Sequence, residues 1–308
     1  MRYQKGSIGL NDRKDKALLG FVADSRYATH SQLLQFANLD DFEFRRRVFN
    51  WRVQRLVRHG LLRKQILPYL SGEALYSISR AGIEALERLG TYYLGANVER
   101  EKDPSEFQIP HALEINNIRL VLLRTGTLWS WTPESLIRVL NLSPTHSYAK
   151  VYDGIAKVFF DRQFAEFAVE YERTLKSLPK YEKIREAIES EKRLKAFLYL
   201  VPSWQLLSTL RDEFWGTKRL VFFGLAREFK EKAFDATVTT AMYDEMPLQG
   251  GPRDRLISSP DTPLMYPNGT QKLAEWSEPT YPTPSSMRNV DSTCDARVIP
   301  RFPQPEEV

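Results

Sequence analysis

Asp153, Glu170, Glu172 and Lys176 are the residues whose types and spacing suit chemistry on a phosphate. All four lie in one stretch, YAKVYDGIAKVFFDRQFAEFAVEYERTLKSLPKYEK, from Tyr148 to Lys183. Residues two apart on a strand point to the same face. Glu170 and Glu172 therefore share a face of a strand ending Glu170-Tyr171-Glu172, and a preceding strand that carries Asp153 brings a third carboxylate to the same pole. Such a set, beside a lysine, can hold a hard divalent cation against a phosphodiester. The same residues also make the polar face of an ordinary hairpin, with the carboxylates paired to Lys176, Lys180 or Lys183. Both alternatives stay open from the spacing alone.

The elements around this stretch set the frame. The apolar spacing from Phe107 to Leu123 predicts a buried helix with a start delayed by Pro110; it carries His111 and Glu114, and His111 is expected to be structural. Ser130-Trp131-Thr132-Pro133-Glu134 predicts a helix start, with Thr132 at N-cap and Pro133 at the first helical position. Glu134 is then either a site acid or an answer to the helix dipole. Thr174–Arg193 predicts a charged helix, Lys195–Val201 a buried strand, Trp204–Glu213 an amphipathic helix and Lys218–Leu225 a further strand. Helices and strands interleaved in this way indicate an α/β layer.

The chain has 308 residues, 44 Lys and Arg against 39 Asp and Glu, and a net charge of +5. That charge is concentrated: residues 1–100 hold 17 basic and 10 acidic residues, net +7, whereas residues 245–308 hold 6 and 9, net −3. The basic hundred residues point to a polyanionic partner. The single cysteine, Cys294, excludes an intrachain disulfide or a cysteine zinc cage and fits a reducing cytoplasm. Apolar runs such as Ala196–Val201 fall far short of a membrane span, and the N-terminus lacks the apolar core of a signal peptide. A soluble, cytoplasmic protein with no membrane partner is expected.

Within the basic region, apolar residues predict a first helix through Ala17–Val22 and a second through Leu33–Phe36, with Ser31 as its cap. A third starts near Asp40 and Asp41 and stops at Gly60. Projected at 100° per residue, Phe42, Phe49, Val53 and Leu56 face a core, and Arg47, Trp51, Arg55 and Arg58 lie opposite. Leu61–Leu67 and Ala74–Ser79 pair around the Pro68–Gly72 turn as a wing bearing Arg63 and Lys64, and Arg80–Leu89 closes the unit. Three helices and a hairpin give the order of a winged helix-turn-helix. Its arginine face either enters a groove of double-stranded DNA, with Arg63 and Lys64 on the backbone, or is a solvated or protein-docking surface. Trp51 either belongs to that face or packs between layers.

Several stretches, YSISRAGIEALERLG, PHALEINNIRLVLL, WTPES, YDGIAKV, FAVEYERTLKSLPKYEKI and AFLYLVPS, in this order and spacing over about residues 12–225, resemble the replication-relaxation family of plasmid and mobile-element replication and mobilisation proteins. The second half resembles a restriction-endonuclease-like, PD-(D/E)xK core. The resemblance implies an α+β chain: a winged helix-turn-helix domain (1–90), a linker (91–105), a nuclease-like α/β domain (106–242) and a disordered tail (243–308) that holds 11 of the 18 prolines. It further implies Asp153 and Glu170 as Mg²⁺ ligands, Glu134 as the acid of a preceding helix, and Lys176, one helical turn past Glu172, as the catalytic lysine. Glu172 itself stands where that motif has lysine, and Tyr152 where it has proline. The implied role is a DNA-binding accessory protein that works with a relaxase or replication proteins. Winged proteins often bind DNA as dimers, which makes a homodimer the further expectation, but no heptad run in the sequence establishes one. Two alternatives are a Mg²⁺-dependent endonuclease and a winged-helix transcription regulator with a sensing or dimerisation domain.

Overall fold

A computed structural model of the chain describes residues 8–91, 108–143, 145–160 and 162–241, which belong to one compact unit. The expected linker, from residue 92 onward, and the proline-rich tail lie outside the described residues.

The first part is built from α1 (Lys14–Ser25), β1 (Ala28–Thr29), α2 (His30–Leu39), α3 (Arg46–Arg58), β2 (Leu62–Ile66), β3 (Ala74–Ile78) and α4 (Arg80–Arg88). The strands form an antiparallel sheet in the order β1-β3-β2. Its core is the predicted one: Leu18, Leu19, Phe21, Val22, Leu33, Phe36, Phe42, Phe49, Val53 and Leu56 are buried together. Gly60 has φ +69°, a left-handed conformation that ends α3 without a side-chain penalty. Three helices, a hairpin and a closing helix thus follow one another in the expected order.

Two helix starts differ from expectation. Thr29, not Ser31, caps α2, because its extended backbone lets its hydroxyl accept from the Gln32 N–H while the Gln32 side chain answers the Thr29 N–H. Asp40 and Asp41 belong to the exit of α2 rather than the start of α3. The N–H groups of Phe42 and Glu43 both donate to the Ala37 carbonyl, and burial of Phe42 holds that turn until α3 begins at Arg46.

The second part comprises α5 (Gln108–Arg124), β4 (Leu128–Pro133), α6 (Glu134–Leu140), β5 (Gly154–Phe160), β6 (Gln163–Tyr171), α7 (Leu178–Ser190), β7 (Ala196–Val201), α8 (Trp204–Glu213), β8 (Leu220–Leu225), α9 (Ala226–Lys232) and β9 (Val238–Thr240). One six-stranded sheet has the order β4-β5-β6-β7-β8-β9. β4, β5 and β6 are antiparallel neighbours; β6, β7 and β8 are parallel, joined by α7 and α8. Central β7, AFLYLV, is buried at every position, the continuous apolar pattern of a strand covered on both faces. Each of its large apolar side chains contributes about 1.5–3 kcal/mol. Ile155, Ala168, Phe197 and Tyr199 pack toward α7 and α8, whereas Ala156, Phe167, Val169 and Leu198 pack toward α5 and α9.

Here too the structure corrects details. Pro110 does not delay α5; it lies within the first turn, where its missing N–H costs no helical hydrogen bond. Trp131, Thr132 and Pro133 form the end of an unforeseen edge strand, β4. Pro133 is the N-cap of α6 rather than its first residue, so Thr132 is not the cap. Lys176 lies in an irregular connection, not on a helix; α7 starts only at Leu178, with Pro179 in its first turn.

α5 joins the two parts. The Gln32 side-chain amide donates to the Leu113 carbonyl (2.8 Å) and to Asn117 Oδ1 (2.7 Å). Asn116 donates to the Tyr27 carbonyl (2.7 Å) and to Gln32 (3.2 Å). Arg119 pairs with Asp24 at 3.1 Å. No helix among the described residues is long and apolar enough to cross a membrane.

Candidate functional site

α3 turns two unlike faces to its surroundings. Arg47, Trp51 and Arg58 are exposed, Trp51 at 56%, and Arg63 and Lys64 are exposed on β2. Arg45 and Arg46 add two exposed cations at the start of the helix, and Phe44 is exposed beside them. Trp51 therefore belongs to the outer face and is not packed between layers.

Arg55 departs from the expected set. Its guanidinium stacks 5.2 Å from the Trp51 ring centroid, donates to the Gly9 carbonyl at 3.0 Å, and forms an ion pair with Asp15 Oδ2. Asp15 is wholly buried, and its other oxygen takes Arg52 at 2.7 Å. Arg52 also faces Glu43 at 3.8 Å, and Glu43 faces Lys14 at 3.5 Å. Arg55 thus fastens α3 to α1, and the outward charge is left to its neighbours. No local pattern announces this network, because Asp15 and Arg52 are 37 residues apart.

The acidic residues lie at one end of the larger sheet. Gly154 pairs with Val169, so Asp153, one residue earlier, stands beside Glu170, one residue later. Glu172 continues beyond β6, where its N–H donates to the Leu200 carbonyl. Gly154 has a steric role: a Cβ there would lie 2.2 Å from the Trp131 ring, so only glycine lets β4 close over the strand that presents Asp153.

Each carboxylate has a protein partner. Asp153 Oδ1 meets His111 Nε2 at 3.1 Å, and Oδ2 accepts the Tyr171 N–H at 2.9 Å. Glu170 pairs with Lys150, and Glu172 with Lys176. Burial opposes ionisation of Asp153, but the His111 hydrogen bond and charge, with the Tyr171 N–H, hold its pKa below the usual value. Burial also works against His111 as a cation; Asp153 overcomes it and raises the imidazole pKa. At Glu170 burial prevails over Lys150, and with the nearby Asp153 charge it pushes the carboxyl up to about 7. Glu172 is raised by burial against the pull of Lys176. The Tyr199 hydroxyl, on β7 beside Glu170, is buried without a hydrogen-bond partner.

Glu134 stands apart, paired with Arg26 at 3.2 Å and with Arg138. Its charge bears on His111 in the cluster. The structure thus brings together Asp153, Glu170, Glu172 and Lys176, adds His111 and Lys150, and turns Glu134 toward α1. Lys150 went unrecognised from the sequence because it lies in an irregular segment with no periodicity. Lys180 and Lys183 are exposed on α7.

Mg²⁺ favours near-octahedral oxygen coordination. Here both Asp153 oxygens and one oxygen each of Glu170 and Glu172 face protein donors. Among the described residues no group of three or more His, Cys, Asp and Glu side chains is arranged to hold a metal ion. The donor set does not fit a divalent ion as it stands.

Fold and site together define the class no further than an α+β chain, in which helices and a three-stranded antiparallel sheet precede a six-stranded mixed sheet flanked by helices. No family model matches the chain, and no curated protein matches it. Among solved structures, the restriction endonuclease FokI bound to DNA is similar over 71% of this chain and 43% of that one, with 10% identity and a TM-score of 0.22. The chain thus spans under half of that protein's length, and at this level the likeness carries no functional inference.

Proposed function

We propose that this chain binds double-stranded DNA through α3 and the wing, as a cytoplasmic accessory protein of plasmid or mobile-element replication and mobilisation. One observation carries DNA binding: Arg47, Trp51 and Arg58 are exposed on one face of α3, beside Arg63 and Lys64, while its other face is buried in the core. Exposed arginines and lysines contact backbone phosphates, and the helix is narrow enough for a major groove. The mobile-element setting, with a relaxase or replication protein as partner, rests on the sequence resemblance, and a homodimer as the working form rests on the winged order of elements.

The test is the affinity of the full chain for a fluorescein-labelled duplex, measured by anisotropy. Arg47→Glu is expected to weaken binding about tenfold or more, with an unchanged circular dichroism spectrum; equal affinity would contradict the proposal. Nicking of supercoiled plasmid that needs Mg²⁺ and is lost in Asp153→Ala would favour the endonuclease instead. Footprints confined to promoters, with none at a replication or transfer origin, would favour the transcription regulator.

A further inference from the structure

Convergent carboxylates need a counter-charge, and at Glu170, the carboxylate beside Asp153, it comes first from Lys150. The Lys150 side chain is only 19% exposed, its ammonium meets Glu170, and it lies 4.6 Å from the centroid of the Tyr152 ring. Its charge also bears on Asp153 and Glu172. Lys150 is held from both sides: the Ala149 N–H at 2.8 Å and the Tyr152 hydroxyl at 3.0 Å donate to the same oxygen of buried Glu191. Arg193 stacks 4.2 Å from the ring centroid of buried Tyr148, closing the segment upstream. Lys176, by contrast, reaches Glu172 from an open connection and is 38% exposed.

We propose that Lys150 is a built-in cation occupying the position that a divalent ion takes in a carboxylate-lined centre, so that Asp153, Glu170 and Glu172 are closed to metal while it is present. The clamp on Glu191 makes this a property of the fold rather than of a mobile side chain. Removing the ammonium leaves Asp153 and Glu170 side by side with less opposing charge, a repulsion that a divalent ion would relieve. The buried Tyr199 hydroxyl would offer a further oxygen beside Glu170. The inference is independent of whether α3 binds DNA.

The experiment is Mn²⁺ titration of the full chain, read as loss of the free-ion paramagnetic resonance signal. The parent protein is expected to show no uptake that depends on Asp153. Lys150→Met is expected to bind Mn²⁺ about tenfold or more tightly than the parent, since an opposing unit charge a few ångströms away is removed. Adding Asp153→Asn is expected to abolish the gain. Uptake by the parent that Asp153→Asn removes would overturn the inference, as would a folded Lys150→Met that binds no better than the parent. If Lys150→Met fails to fold, parent and Lys150→Arg decide. Absence of Asp153-dependent uptake in both supports the built-in cation, and its presence in either overturns it.

Discussion

Asp15 and Glu170 are both buried carboxylates beside cations, but the two halves of the molecule neutralise them differently. Asp15 takes one arginine on each oxygen, both from α3, whose guanidinium groups are held at one helical spacing. Glu170 takes a single lysine from an irregular segment and stands next to a second carboxylate, Asp153. The first arrangement works as a fastener, and by drawing Arg52 and Arg55 inward it decides which arginines remain on the outer face. The second is incompletely balanced, and its surplus shows as a carboxyl pushed up to about 7. Buried charge in this chain therefore serves geometry in one half and leaves a responsive cluster in the other.

The largest expected effect breaks the fastener. Asp15→Ala leaves Arg52 buried with only the distant Glu43, and should cost about 3–5 kcal/mol in urea denaturation. A loss near zero would mean that the network is ornamental. The next sharpens the contrast through pH. Glu170 has a raised folded pKa, so the folded state binds its proton more tightly than the unfolded chain, and stability should fall as pH rises from about 4.5 to about 7. The full change is on the order of 3 kcal/mol, and Glu170→Gln should flatten it. His111, also raised, contributes stability that is present below its ordinary value of 6.5 and lost as pH rises through its folded value. His111→Gln should remove that higher-pH part alone. Denaturation midpoints across this range read both, and a parent that gains stability over the window would refute the assignment.

A third comparison separates two arginines on one helix. Arg55→Ala should lower stability by about 2 kcal/mol through its lost ion pair. Arg47→Ala should leave the denaturation midpoint in place and weaken duplex binding instead. Matching effects of the two would erase the division between fastening and outward faces. The smallest effect concerns local framing: Thr29→Ala removes the α2 cap and should cost about 1 kcal/mol, read as a shift in midpoint.

Much of this frame was legible in the sequence because period-2 and period-3.6 patterns are local. They placed the α3 core face, the wing, both strands of the central hairpin, β7 and α8. They also brought Asp153, Glu170 and Glu172 to one pole. β4 escaped notice because Thr132-Pro133-Glu134 carries strong helix-start chemistry, while its strand character depends on pairing with β5, 21 or more residues away. The cations escaped for a related reason. Lys150 meets Glu170 across 20 positions, His111 meets Asp153 across 42, and Arg52 meets Asp15 across 37. Alternation shows which face a residue occupies, but only tertiary packing selects its partner. The inward pairing of Arg55 was hidden on the same ground, since a helical projection cannot know that Asp15 lies beneath it.

The most direct measurement is the salt dependence of duplex affinity for the full chain, compared with Arg47→Glu/Arg58→Glu and with Lys150→Met. If the outer face of α3 holds DNA, the parent should show a steep loss of affinity with salt, and the double variant should bind more weakly with a slope smaller by about 2. Lys150→Met should match the parent. Equal affinity and slope in the parent and the double variant would contradict the account.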